Sequence, residues 1–193
     1  MLSRILDKVM AWALARNGHG GYPGEESPRW AYTITDDATG EPYLSRVLLP
    51  RVKLPLVGEF RVMLHHFHRA DADRALHNHP WRWAGSLVLC GSYVEDRLDA
   101  DIAAIVSSSW FRTLRAKLDL EPVIDAVTRK RVRWVNWLTD QDFHRVDRLE
   151  GDVWTLFIAG PRTQDWGFVE AGTFIPWQKF LADKRAQRAQ KAL

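Results

Sequence analysis

Leu76-His77-Asn78-His79-Pro80-Trp81, continuing through Arg82-Trp83-Ala84-Gly85 into Ser86-Leu87-Val88-Leu89-Cys90-Gly91-Ser92-Tyr93-Val94-Glu95, sets the character of this chain. In the second half, Leu87, Leu89 and Tyr93 alternate with Ser86, Val88, Cys90 and Val94, the period of two that marks a β-strand. Both sets are largely apolar, so this strand is expected to be covered on both faces. The first half places two imidazoles two residues apart. On an extended chain residues i and i+2 share a face, so His77 and His79 are able to converge on one ion. Neutral imidazole is the commonest protein ligand for metals such as iron, zinc, copper and nickel.

The β texture spreads in both directions from this stretch. Short apolar runs at residues 43–49, 60–67 and 152–158 are bounded by Pro, Gly and Asp, the usual punctuation of strands. Further strands are expected at residues 123–127 and 132–138, with Arg129-Lys130 as the turn, and Gly160-Pro161 ends the run at 152–158. Residues 99–118 break the pattern. Ile102, Ile105, Val106, Trp110, Leu114 and Leu118 approximate helical spacing, which predicts an insertion closing at Glu121-Pro122. At the N-terminus Ile5, Leu6, Val9, Met10, Ala13 and Leu14 recur on one helical face while Arg4, Asp7 and Lys8 interrupt any apolar run. That is an amphipathic helix rather than a signal peptide or membrane span. The predicted organisation is a helix and Gly-rich loop over residues 1–28, containing His19, then a β-barrel over 29–177 with a helical insertion at about 99–121. A basic helix over 178–193 completes it. Many short strands with few helices argue for a barrel or jelly roll.

Composition bounds the function classes. Hydrophobic content of 46% and charged content of 26% are ordinary for a globular protein, and the 193 residues suffice for one domain with a real core. A net charge of +3 carries no concentrated basic stripe, so nucleic acid is not the expected partner. The basic side chains Lys179, Lys184, Arg185, Arg188 and Lys191 read as a solvated helical face. Cys90 is the only cysteine, which forbids an internal disulfide and suits a reducing compartment, with the cytoplasm as the expected location. No Gly-rich phosphate loop and no Gly-x-Ser-x-Gly elbow is present. Ten tryptophans are the compositional oddity; core packing explains most, and Trp81, Trp83 and Trp154 are candidates for the walls of a dry pocket.

The run from Leu76 to Trp81, followed by Gly85 and Gly91, resembles the first metal motif of the cupin superfamily. His144, within Asp142-Phe143-His144-Arg145-Val146, matches the histidine of the second. The wider text is similar to uncharacterised cupin-like proteins of phage and bacterial genomes. It matches at Leu64-His65-His66-Phe67, Trp154-Thr155-Leu156-Phe157, Gly160-Pro161-Arg162 and Trp166-Gly167-Phe168. The resemblance implies a mainly β, cupin-type double-stranded β-helix, or jelly-roll barrel, carrying an N-terminal helix, a helical insertion and a C-terminal helix. It also implies metal ligation by His77, His79 and His144, and pairing into a homodimer. Cupins usually add a glutamate beyond the second histidine; here that slot falls near Ala84, so a three-histidine site like that of thiol dioxygenases is expected.

Three protein ligands leave coordination positions open, the arrangement of a catalytic rather than a structural site. The expected ion is Fe(II), with Zn, Ni or Mn as alternatives, and the expected activity is a non-haem iron dioxygenase or hydroxylase acting on a small molecule. Metal-dependent isomerase or lyase chemistry, a non-catalytic ligand-binding cupin and a phage accessory protein are the competing readings. Strand alternation sets His66 and His68 on one face with Leu64, and His65 on the other with Met63. His66 and His68 are candidate second ring or substrate contacts. Arg82 and Arg162, with Arg61, are candidate partners for an anionic substrate group, since guanidinium matches carboxylate geometry. Arg145, alternating away from His144, is expected to make a structural ion pair.

Overall fold

The computed structural model describes residues 1–17, 30–35, 39–55, 58–71, 75–107, 127–170 and 173–191. The Gly-rich segment with His19, the strand residues 123–126 and the insertion beyond residue 107 lie outside them. In chain order the elements are α1 (Leu2–Asn17), β1 (Ala31–Thr35), β2 (Pro42–Leu48), β3 (Val52–Leu54), β4 (Gly58–Phe67), β5 (Leu76–His77) and β6 (Trp83–Leu98). They continue with α2 (Ala100–Ser107), β7 (Val127–Val132), β8 (Val135–Thr139), β9 (His144–Ala159), β10 (Gly167–Glu170), β11 (Thr173–Pro176) and α3 (Trp177–Lys191). Among the described residues, no helix is long and apolar enough to cross a membrane.

Two long strands organise everything else. β6 and β9 pair antiparallel from Ala84 opposite Ala159 to Arg97 opposite His144. At one end of this ribbon β9 takes β4 on its free edge and β6 takes β8. At the other end β9 meets β5, and β6 meets β7. The sheet β1-β2-β4-β9-β6-β8 thus passes into the sheet β11-β10-β5-β9-β6-β7 through shared strands, giving a mainly β, jelly-roll type of barrel.

The passage from one sheet to the other occurs where the ladder slips, on either side of Cys90. Gly91 has φ 69° and Gly151 has φ 84°, left-handed conformations that favour glycine, and their bulges bend the ribbon. A Cβ on Gly91 would lie 2.6 Å from the Asp152 carbonyl oxygen, so glycine is required there for space as well as for φ.

Alternation assigns the faces. Val47, Leu64 and Trp154 pack outward with Ala31 onto Met10 and Ala13 of α1. Met63, Phe157, Ala84 and Ala159 pack together on the opposite face, inside the barrel. Trp154, 0% exposed, therefore belongs to the helix interface and not to an inner pocket wall. Trp83 likewise turns away from Ala84's side and stacks on Trp137 at 5.2 Å. Of the tryptophans expected around a pocket, only Trp81 lies against a site histidine, with its ring 5.5 Å from that of His79.

The turn expected at Arg129-Lys130 lies instead at Arg133-Trp134. Arg129 and Lys130 belong to β7, where Arg129 pairs across the ladder with Asp96 at 2.9 Å. Cross-strand charge pairing let a basic run continue as strand where local composition suggested a turn. Behind β5, Ala103 of α2 packs with Leu76, Leu98, Phe143 and Val169. Phe180 of α3 stacks on Phe168 at 3.9 Å, and Trp177 on Trp166 at 5.7 Å.

Candidate metal centre

β5 and β9 bring the two histidine motifs face to face. His77, the last residue of β5, is registered directly opposite His144, the first of β9. His79 lies just beyond the strand end, and Asn78 fixes its approach. Asn78 is 4% exposed; its amide donates to the Asp140 carbonyl at 3.1 Å and its side-chain oxygen accepts from Gly167 N–H at 2.9 Å. Gln164 adds a 3.3 Å hydrogen bond to the His79 carbonyl. These bonds do for His79 what the ladder does for His77. The ring centroids lie 5.3 Å (His77–His79), 4.9 Å (His77–His144) and 5.1 Å (His79–His144) apart. One nitrogen of each ring lies within 4.8 Å of those of the other two.

The protonation pattern suits ligation. Burial is the main force on His77, pushing its ring down from 6.5 to about 4, with the His144 and Arg46 charges adding to it against Asp71 and Glu95. Burial also lowers His79 well below its ordinary value, with His144 and His77 reinforcing it. Both rings are therefore neutral near pH 7 and carry a lone pair. His144 Nδ1 faces the Glu95 carboxylate at 3.2 Å, which favours the Nδ1–H tautomer and makes Nε2 the nitrogen that carries the lone pair. That Nε2 lies 2.9 Å from His79 Nε2. Two nitrogens held at about 2.1 Å by one ion are separated by about 3.0 Å at a right angle and by about 3.4 Å at the tetrahedral angle. The three donors lie close enough together to share one ion.

Glu95 is the residue that local sequence reading does not find. Ala84, the slot at which the sequence predicts no carboxylate ligand, is 1% exposed among apolar side chains and offers none. The carboxylate comes instead from the far end of β6 and stands behind His144. Glu95 is 0% exposed and accepts from Arg97 Nε at 2.6 Å and Asn136 Nδ2 at 2.8 Å. Burial acts to raise its pKa, but the His144 hydrogen bond and charge, with those of Arg97, outweigh it and hold the carboxyl below its ordinary value. A buried carboxylate on the outer nitrogen of a histidine is the arrangement that orients ligating imidazoles in metal sites.

The remaining sequence candidates lie elsewhere. His66 and His68 do share a face, but it is the outer one. His66 stacks on Trp154 at 4.0 Å and meets Asp152 at 2.8 Å, while His68 meets Ser45 Oγ at 2.8 Å. Neither reaches the trio, because the parity that points His65 inward points them outward. His66 falls instead in a second cluster with Asp7 and Asp152. Arg82 is exposed, and Arg162, 58% exposed, pairs with Asp165 at 2.8 Å. Arg145 pairs with Asp96 at 2.8 Å, as its alternation suggests.

One prediction follows from burial of the trio. The folded state holds His77 neutral down to about pH 4, whereas the unfolded ring protonates near 6.5. Between these values the unfolded chain binds more protons, so metal-free stability is full above pH 6.5 and declines as pH falls toward 4. Urea denaturation at a series of pH values measures this, and His77→Phe is expected to flatten the decline.

No family model matches the chain, and no curated protein is matched by sequence. Among solved structures, the chain is similar to Fe(II)-HppE crystallised with the alternative substrate (S)-1-HPP. The identity is 11%, the TM-score 0.41, and the alignment covers 75% of this chain and 63% of that one. The match thus spans less than two thirds of that structure, and a likeness at this level transfers none of its chemistry.

Proposed function

We propose that the chain is a cupin-type metalloprotein in which His77, His79 and His144 hold one divalent ion, Fe(II) before Zn, Ni or Mn, and which oxidises a small molecule with dioxygen. The observation that carries this reading is the convergence of one nitrogen from each of His77, His79 and His144 within 4.8 Å of the others, with Glu95 behind His144. Three imidazole donors fall within the ligand chemistry of iron, zinc and nickel. Three neutral imidazoles leave positions open for other ligands, and an Fe(II) ion bound there would supply dioxygen activation.

The chain's own contribution is to bind, orient and dry. Glu95 keeps the His144 lone pair aimed inward, and Asn78 positions His79 from the backbone side. Trp81 and Phe157 border His79, and Trp166 and Phe168 border His77, so aromatic surface limits water around the donors. Acid–base isomerase or lyase chemistry is less well supported. The two carboxylates whose charge reaches His77 are both engaged: Glu95 by His144, Arg97 and Asn136, and Asp71 by the Tyr43 hydroxyl and Val146 N–H.

The test is anaerobic loading with Fe(II) followed by nitric oxide as a stand-in for dioxygen. Open coordination predicts the high-spin iron–nitrosyl EPR signal, lost in His79→Ala. Iron that binds but gives no nitrosyl signal would contradict an oxygen-activating site.

A further inference from the structure

Three side chains on the inner face of the barrel bury polar atoms that have no hydrogen-bond partner. Arg46 is registered opposite His65 across β2 and β4, and His65 opposite Thr155 across β4 and β9. Arg46 Nε, His65 Nε2 and Thr155 Oγ1 are each buried and unpartnered among the described residues. Buried polar groups in folded proteins are nearly always paired, so three such atoms in one cross-strand row need an explanation.

The row faces the histidine trio. Its chain neighbours Val47, Leu64 and Trp154 pack outward onto α1, which turns Arg46, His65 and Thr155 inward. His65, 4% exposed, stacks on Phe157 at 5.1 Å, and the Phe157 ring is 6.0 Å from that of His79. After burial itself, the positive charge of Arg46 is among the influences that disfavour protonation of His65, His77 and His79 alike.

Arg46 is a permanent cation, partly buried and with its Nε fully enclosed, and a cation in such a setting normally has an anionic partner. Among the described residues no carboxylate pairs with it, and Asp71 and Glu95 are committed to other donors. The row offers one positive charge, a hydroxyl and a neutral imidazole nitrogen, which matches a monoanion and leaves a phosphate dianion undercompensated. Guanidinium accepts a carboxylate with two parallel N–H donors.

We infer that the Arg46–His65–Thr155 row binds the carboxylate of a small monocarboxylic substrate and presents the rest of that molecule to the His77–His79–His144 face. The second half of this statement rests on the metal-centre reading; the first does not.

The experiment is a titration with carboxyl-labelled butyrate, followed by NMR, on wild type, Arg46→Met and Arg46→Lys. Wild type is expected to bind butyrate saturably, and Arg46→Met to bind it at least about tenfold more weakly, the effect of losing a charge-assisted hydrogen bond. Arg46→Lys is expected to fall between them, and butyramide to bind wild type as weakly as butyrate binds Arg46→Met. Arg46→Met should also melt no lower than wild type, because no group among the described residues loses a partner. Absence of butyrate binding, equal binding by Arg46→Met, equal binding of butyramide, or a melting point lowered by more than about 4 °C in Arg46→Met would each overturn the inference. The two readings fail separately. Wild type that binds butyrate but no metal sinks only the metal centre, whereas metal-loaded Arg46→Met with unchanged butyrate affinity sinks only the carboxylate row.

Discussion

His144→Ala is expected to weaken metal binding by more than about a hundredfold, the upper end of what loss of an outer-ring partner costs. The mutation removes a ligand directly and leaves Glu95 without the imidazole it orients. His144 is 7% exposed, so some loss of stability will accompany the loss of metal. His79→Ala separates the two effects, since His79 is less buried and lies outside the strand ladder. It should lose metal to a similar degree while keeping near-wild-type stability. Competitive chelator titration measures the affinities and urea denaturation the stabilities. Loss of metal from His144→Ala with full retention in His79→Ala would show that folding, and not ligation, is the cause.

Glu95 gives the second large effect, and its two substitutions are expected to differ in kind. Glu95→Gln keeps an oxygen that accepts from His144 Nδ1–H but removes the negative charge. Metal affinity should fall by about 10–100-fold as the imidazole becomes a poorer donor, with the fold retained. Glu95→Ala leaves Arg97 Nε and Asn136 Nδ2, now held at 2.6 and 2.8 Å by the carboxylate, without their acceptor in a buried setting. Breaking a buried pair in this way costs about 3–5 kcal/mol, a large part of the stability of an ordinary domain. Equal metal affinity in Glu95→Gln and wild type would mean that the carboxylate serves the fold alone.

The sequence shows the histidines because their signal is local or carried by a motif. His77 and His79 are separated by the strand period, and His144 stands in a second recognisable run. The alternation of His65 against His66 and His68 is equally legible, and the structure keeps that parity. What alternation does not provide is which face is inside. That depends on α1 covering Leu64 and Trp154, a contact between segments far apart in the chain. The same limit hid Glu95 and Arg46. Glu95 reads as the polar end of an apolar strand, and it becomes a partner of His144 only through the bulged β6–β9 register. A slip of one residue in that ladder would turn it outward. Arg46 sits in β2 among residues that alternate normally, and nothing near it in sequence marks its lack of a counter-ion among the described residues. The turn expected at Arg129-Lys130 was displaced to Arg133-Trp134 for a related reason, the pairing of Arg129 with Asp96 across strands.

The central claim is that one ion sits among His77, His79 and His144, and X-ray absorption of the Fe(II)-loaded protein tests it most directly. Imidazole rings leave a characteristic outer-shell scattering whose intensity counts them. Three imidazole nitrogens at about 2.1 Å, reduced to two in His79→Ala, is the predicted result. A first shell dominated by oxygen with a single imidazole, unchanged in His79→Ala and abolished in His66→Ala, would place the ion at the Asp7–His66–Asp152 cluster and contradict the account.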